Sequence, residues 1–251
     1  MVTLISRKRT FSREKMLELL VGLTAAPSDN AQTLYLPTQL SPKVLEESIN
    51  RLGESPELIA KLSKIAVRSK TGTVIFWSTR KKLLVIPPFP VLERHIVNSI
   101  AVEHLHKQLS HDYLIGMVLV RLGAYAIGVF QGEKRLSSKV GTGLVHSRHR
   151  QGGSSAHRFE RHRDKQIEYF LTRVCQQVRE QIEPYIKLLD YIVYGGARTT
   201  ILLLQKQCPL LGNLETTALP PLLDIPEPRQ TVLESAINHV WSSTVYEWRE
   251  D

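Results

Sequence analysis

Hydrophobic and polar positions alternate with two different periods along this chain, and the changes of period mark out its elements. Near the N-terminus the pattern is helical. Ser12 stands before a periodic run to about Val21, and Ser41-Pro42 and Ser55-Pro56 each pair a capping residue with a proline suited to a first helical turn. These predict helices from Ser12, from Ser41 to about Leu52, and from Ser55 to about Ala66. The period then shortens. Residues 73–78 and 83–86 are β-branched and apolar across a polar S-T-R-K-K connection, the pattern of a hairpin that Pro87-Pro88 brings to a stop. A helix is expected within 91–110. Three further strands follow, Leu114–Arg121, Ala124–Gln131 and Leu136–Val145, separated by Leu122-Gly123 and Gly132-Glu133 turns, an antiparallel meander.

Beyond the meander Ile167, Phe170, Leu171, Val174, Cys175, Val178, Ile182 and Ile186 recur at helical spacing, which reads as a core-facing stripe. Asp164 is the expected first cap of this helix, which runs to about Asp190 with a bend at Pro184. A strand at Tyr191–Tyr194 leads through Gly195-Gly196-Ala197-Arg198 into a helix capped by Thr199 or Thr200 and ending near Gln207. Residues 213–225 predict one or two short strands, P-E-P-R at 226–229 breaks the chain, and a helix is expected from about Gln230 to Trp241, with Val245 and Trp248 returning to a sheet. The expected class is α/β (α+β). A mixed sheet that opens with the meander and carries packed helices resembles the ribonuclease-H-like layout. Two domains are expected, an N-terminal accessory α+β domain over 1–110 and a second domain over 111–251.

Composition narrows the classes of partner. The 251 residues are 42% hydrophobic, enough for folded cores, and carry a net charge of +9 that points toward nucleic acid or an acidic surface. Tyr113–Phe130 is the one stretch apolar enough to suggest a membrane span, but Arg121 and Gly123 interrupt it, so two strands are expected and no membrane partner. The two cysteines, Cys175 and Cys208, form no metal-binding or redox motif and read as buried free thiols of a cytoplasmic protein. No cofactor and no metal site are indicated.

The chemistry concentrates in H-S-R-H-R-Q-G-G-S-S-A-H-R-F-E-R-H-R-D-K, residues 146–165. Six cations stand there (Arg148, Arg150, Arg158, Arg161, Arg163, Lys165) against Glu160 and Asp164, with His146, His149, His157 and His162 between them. Gly152 and Gly153 lack a Cβ, so their N–H groups can approach a substrate closely while flanking guanidiniums hold phosphates bidentately. Solvated surface is the bland alternative for such a charge run. Gly195-Gly196 before Arg198 reads either as a second anion site or, with so little charge nearby, as a tight strand-to-helix connection.

Taken together, these residues resemble the middle domain of class I eukaryotic and archaeal translation release factors, whose loop has the form R-G-G-Q-S-A-L-R-F where this chain reads Q-G-G-S-S-A-H-R-F at 151–159. They are more similar to the bacterial branch of the Vms/Ankzf release-factor-like family, regarded as peptidyl-tRNA hydrolases of ribosome rescue. That likeness runs through V-L-V-R-L-G-A-Y-A-I-G-V-F at 118–130, S-K-V-G at 138–141, G-G-x-S-x-x-R-F-x-R-x-R at 152–163, Gly195-Gly196 and L-D-I-P-E-P-R at 223–229. The resemblance implies a loop that enters the peptidyl-transferase centre of the large ribosomal subunit and hydrolyses the ester of peptidyl-tRNA. Gly152 and Gly153 would shape its tip, and Arg148, Arg150, Arg158, Arg161, Arg163 and Lys165 would hold rRNA and the tRNA end.

The chain departs from the pattern at the catalytic amide. Release factors carry glutamine directly after Gly-Gly, where Ser154 stands here, and bacterial relatives often carry it two positions later, where this chain has Ala156. Gln151, the Ser154 N–H, and the Ser154 and Ser155 hydroxyls are the alternatives for placing water and stabilising the oxyanion. The opposed expectation is a ribosome- or tRNA-binding factor that lost hydrolysis with the glutamine. An RNA-cleaving enzyme is disfavoured, because metal-assisted cleavage needs clustered carboxylates and the expected strands carry hardly any.

Overall fold

A computed structural model describes residues 4–25, 30–145, 156–214 and 217–250. Two compact units divide it, Met1–His111 together with Asn238–Asp251, and Asp112–Ile237. The chain therefore leaves its first unit and comes back to it.

The first unit is built on a six-stranded antiparallel sheet from β1 (Leu4–Phe11), β2 (Gln32–Leu36), β3 (Thr73–Trp77), β4 (Lys82–Ile86), β5 (His95–Val97) and β11 (Ser243–Glu250), in the order β1-β11-β4-β3-β2-β5. Helices α1 (Arg13–Thr24) and α4 (Glu103–Ser110) cover one face over Tyr35, Val74, Phe76, Leu83, Val85 and Val245. Helices α2 (Pro42–Asn50) and α3 (Pro56–Arg68) cover the other over Leu34, Ile75, Trp77, Leu84 and Trp248. The period of two in each strand sends alternate residues to opposite cores, which is why β3 is buried along its whole length. The expected caps hold: Ser12, Ser41 and Ser55 each accept a hydrogen bond from the backbone N–H three residues on.

Two expectations change in this unit, and two strands appear that were not expected. The single helix foreseen within 91–110 is a short strand, β5, followed by the later helix α4. β1 and β2 carry no sequence signal as strong as that of the hairpin, and form because partners exist for them. The tail around Val245 and Trp248 does return to a sheet, but to this one, wedged between β1 and β4 rather than joining the domain expected over 111–251.

The second unit is a five-stranded mixed sheet, ordered β10-β9-β6-β7-β8, from β6 (Leu114–Arg121), β7 (Ala124–Gln131), β8 (Lys134–Thr142), β9 (Tyr191–Gly196) and β10 (Ala218–Leu223). The first three strands make the antiparallel meander, and β9 and β10 run parallel to β6. One face packs under α5 (Ala156–Ile182), α6 (Arg198–Gln207) and α7 (Pro209–Gly212) through Val118, Val120, Tyr125, Ile127, Ile192 and Tyr194. On the opposite face Leu233 of α8 (Gln230–Val240) reaches Gly128, where even a methyl group would come within 2.9 Å of it. The layout is the expected α+β one, a mixed sheet that opens with the meander and carries packed helices. At the start of β9 Asp190 accepts a hydrogen bond from the Leu114 N–H at 2.7 Å, and burial, then the charges of Tyr113 and Asp190, push the Tyr191 hydroxyl up to about 12. The phenol is therefore neutral where it packs edge-on to Tyr113. Among the described residues no helix is long and apolar enough to cross a membrane.

Cys175 of α5 and Cys208, just after α6, are bonded to one another with Cα atoms 5.4 Å apart, which replaces the expected pair of free thiols. The reason lies in packing. Helix α6 folds back along α5, with Gln207 Nε2 donating to the Glu168 carbonyl at 3.0 Å, and this brings two residues 33 apart in sequence together.

Candidate nucleic-acid interface

Helix α5 is the element that positions the candidate chemistry. It begins at Ala156, about two turns before the expected cap at Asp164, so Asp164 lies inside the helix. The apolar stripe becomes legible only from Ile167, and the polar turns before it carry no period to read. Residues 158–182 divide sharply by burial. The outer half, 158–169, has no buried residue, whereas Phe170, Leu171, Val174, Cys175, Val178 and Ile182 are buried in the core. A helix of 27 residues is about 40 Å long, so nearly half of that length extends past the core it is anchored in.

The anchor is built from the motif residues. Phe170 lies 6.2 Å, centroid to centroid, from Tyr125 of β7. A Cβ at Gly141 would overlap the Tyr125 ring and hydroxyl, and one at Gly143 would come 2.7 Å from Phe170. Arg173 Nη1 donates to the Thr142 carbonyl at 3.2 Å. The glycine of S-K-V-G and the tyrosine of the long β6–β7 motif thus seat the base of the helix, and both are structural.

Helical geometry sorts the predicted cations. At about 100° per residue, Arg158, Arg161, His162 and Lys165 fall on one side, opposite the buried stripe, and all four are exposed. Arg163 does not join them. It is turned about 140° from Arg158 and is half-buried, toward the flank of the helix. Gln151, Gly152, Gly153 and Ser154, together with Arg148, Arg150, His146 and His149, lie outside the described residues.

One aromatic side chain belongs with this face and was missed in the sequence. Tyr169 is 75% exposed and sits one turn beyond Lys165 in the cationic row, whereas Phe159, 56% exposed, is turned about 100° from Arg158 toward the Arg163 flank. An aromatic residue four positions after a lysine, in a segment with no apolar period, was the available signal. Cations hold a phosphate backbone and the exposed Tyr169 ring offers a stacking surface to a base, so the face has chemistry suited to a single-stranded nucleic-acid contact.

The second Gly-Gly resolves as a tight connection. Gly195 and Gly196 are the last residues of β9, paired with Leu119 and Val120 of β6, and Gly196 has φ +118°. A Cβ at Gly196 would overlap the Val120 carbonyl oxygen, which is backbone and cannot swing away. Gly196→Ala is expected to cost about 3–5 kcal/mol of stability in chemical denaturation, and an alanine variant of native stability would contradict this geometry.

The chain is similar to known proteins of translation termination. Over 113 residues, 45% of this chain, the sequence is 29% identical to peptide chain release factor subunit 1 of Archaeoglobus fulgidus, and that stretch spans only 28% of the relative. Among solved structures, the archaeal translation termination factor aRF1 aligns over 92% of this chain and 73% of its own at 15% identity, with a TM-score of 0.39. Pelota of Archaeoglobus fulgidus aligns over 93% of this chain and 62% of its own at 9% identity, with a TM-score of 0.32. Residues 113–246, more than half of the chain, match the family described as Actinobacteria/chloroflexi VLRF1 release factor, and the protein belongs to that release-factor family.

Proposed function

We propose that this protein acts on ribosomes in translation termination or rescue, freeing a nascent peptide by hydrolysing its ester to tRNA on stalled large subunits, as in the bacterial branch of the Vms/Ankzf family. The observation that carries this reading is the outer half of α5: an exposed row of Arg158, Arg161, His162 and Lys165 on a helix that begins directly after the Gly-Gly segment. A row of that kind suits rRNA and the acceptor end of tRNA, whose phosphates arginine and lysine neutralise. In this reading Arg148 and Arg150 add further phosphate contacts, and Arg163 makes a separate contact from the helix flank. Gly152 and Gly153 bring bare backbone to the ester, and Gln151 or Ser154 positions the attacking water. The oxyanion of the tetrahedral intermediate then meets N–H donors without a covalent intermediate on the protein. No metal or cofactor enters the scheme, and its place of action is the cytoplasm because ribosomes are there, the Cys175–Cys208 bond having removed the free thiols as a ground for it. The unit of 112–237 is the release module, and the first unit is accessory to it.

The test is release of labelled nascent peptide from purified large subunits carrying peptidyl-tRNA, comparing the native chain with Gly153→Val. Native release with a loss of about a hundredfold or more in the variant is expected. Equal release by a folded variant removes the loop from the mechanism.

The second reading, a binding factor without hydrolysis, draws on Ser154 and Ala156 standing where the resembling families carry glutamine. Its own result would be a silent native chain that binds large subunits and gains release when glutamine replaces Ser154 or Ala156.

A further inference from the structure

The first unit holds a cavity of about 510 Å³ that the release reading does not use. Its volume falls in the range, roughly 300–1,000 Å³, of sites that enclose a small ligand or a few side chains. One wall is a single face of α1, residues 15, 18, 19, 22 and 23, and the opposite side comes from the β3–β4 turn and the approach to α4. The floor is apolar. Phe11, Leu19 and Ile100 lie over the core of this unit only partly buried, leaving apolar surface toward the cavity.

The rim is charged with one sign in excess. Lys15, Arg80 and Lys81 are exposed there against the single carboxylate of Glu18, and Lys81 also reaches Glu247 at 3.5 Å. Ser78 is the one buried polar side chain in the lining. Its Oγ is occupied within its own turn, donating to the Lys81 carbonyl at 3.2 Å and accepting from the Lys81 N–H at 3.1 Å.

Gly22 makes the cavity informative. It stands in the interior of α1, where glycine is among the poorest helix formers. A Cβ there would meet nothing within 4 Å, so no close approach requires the glycine, and any larger side chain would help the helix while projecting into the opening. What the glycine provides is space.

We propose that this cavity is a docking site for an acidic peptide segment of a partner protein. An apolar side chain of the peptide sits against Phe11, Leu19 and Ile100, and its flanking carboxylates meet Lys15 and Arg80. A small-molecule site fixes its ligand with a few convergent buried polar groups, and this one offers none uncommitted in its described lining, whereas an apolar floor under a cationic rim matches alternating apolar and acidic residues.

Fluorescence anisotropy of the full chain with a fluorescein-labelled decapeptide of aspartate, leucine and phenylalanine tests this. Saturable binding is expected, weakened by salt, and weaker by about tenfold or more in Gly22→Leu, which should fold with an unchanged or higher Tm. Arg80→Glu, on an exposed turn away from the helix, should weaken binding by about fivefold or more, and a peptide with lysine in place of aspartate should not bind. Absence of saturable binding, or equal affinity in native protein and both variants, overturns the proposal. Saturable binding of decanoate that the peptide fails to displace also overturns it, by assigning the cavity to a small amphiphile.

Discussion

Deletion of residues 243–251 is expected to unfold the first unit while the second keeps its structure. β11 is an interior strand, paired with β1 along one edge from Phe11↔Ser243 to Leu4↔Glu250 and with β4 along the other from Thr244↔Ile86 to Trp248↔Lys82. Its loss strands both neighbours' hydrogen-bonding edges. Side chains of β11 also enter both cores of the unit, Val245 on the α1–α4 side and Trp248 on the α2–α3 side, each nearly fully buried. Removing a buried tryptophan alone costs about 3–5 kcal/mol, and a domain's entire stability is about 5–15 kcal/mol, so loss of the strand exceeds what the unit can absorb. The second unit has its own sheet and core, and Asp112–Ile237 contains all five of its strands. Hydrogen exchange should therefore show complete loss of protection in β2, β3 and β4 with protection retained in β6 and β7. Protected β3 amides in the truncated chain would contradict the assignment of β11 to this sheet.

Reversal of the α5 row, with Arg158, Arg161 and Lys165 all changed to glutamate, is expected to abolish tight binding to large ribosomal subunits without loss of fold. All three side chains are exposed and oppose the buried stripe, so their replacement touches no core contact. Each phosphate contact removed lowers the slope of log affinity against log salt by roughly 0.7–0.9. Three such losses, with like-charge repulsion added, correspond to a fall of about 10²–10⁴ in affinity near 0.1 M salt and a slope shallower by about 2–3. Sedimentation of the native and triple-variant proteins with subunits across a salt series measures both quantities. Native-like affinity and slope in the variant would show that the row does not meet RNA.

Much of this architecture was open to inspection in the sequence. Ser-Pro pairs announced α2 and α3 because a capping hydroxyl and a preset φ act within one turn and need no tertiary partner. The β6–β7–β8 meander was legible because its turns and apolar runs are local. The cationic cluster was legible as composition, but its geometry was not. Sequence spacing treated Arg158, Arg161, Arg163 and Lys165 as equivalent, and only a helix starting at Ala156 turns Arg163 away from the others and brings Tyr169 into the row.

What the sequence by itself determined about this protein is therefore whatever short-range physics controls: the caps, the meander, the core stripe of α5 and the basic character of the segment that leads into it. What only the tertiary structure decided depends on partners distant along the chain. β1 became a strand because β11, more than 230 residues later, pairs with it. Cys175 and Cys208 became a bond because α6 returns along α5. Gly196 is glycine because a β6 carbonyl occupies the place of its side chain. An edge that needs a partner, or a space that another backbone fills, has no periodicity of its own, and the folded chain alone supplies the other half.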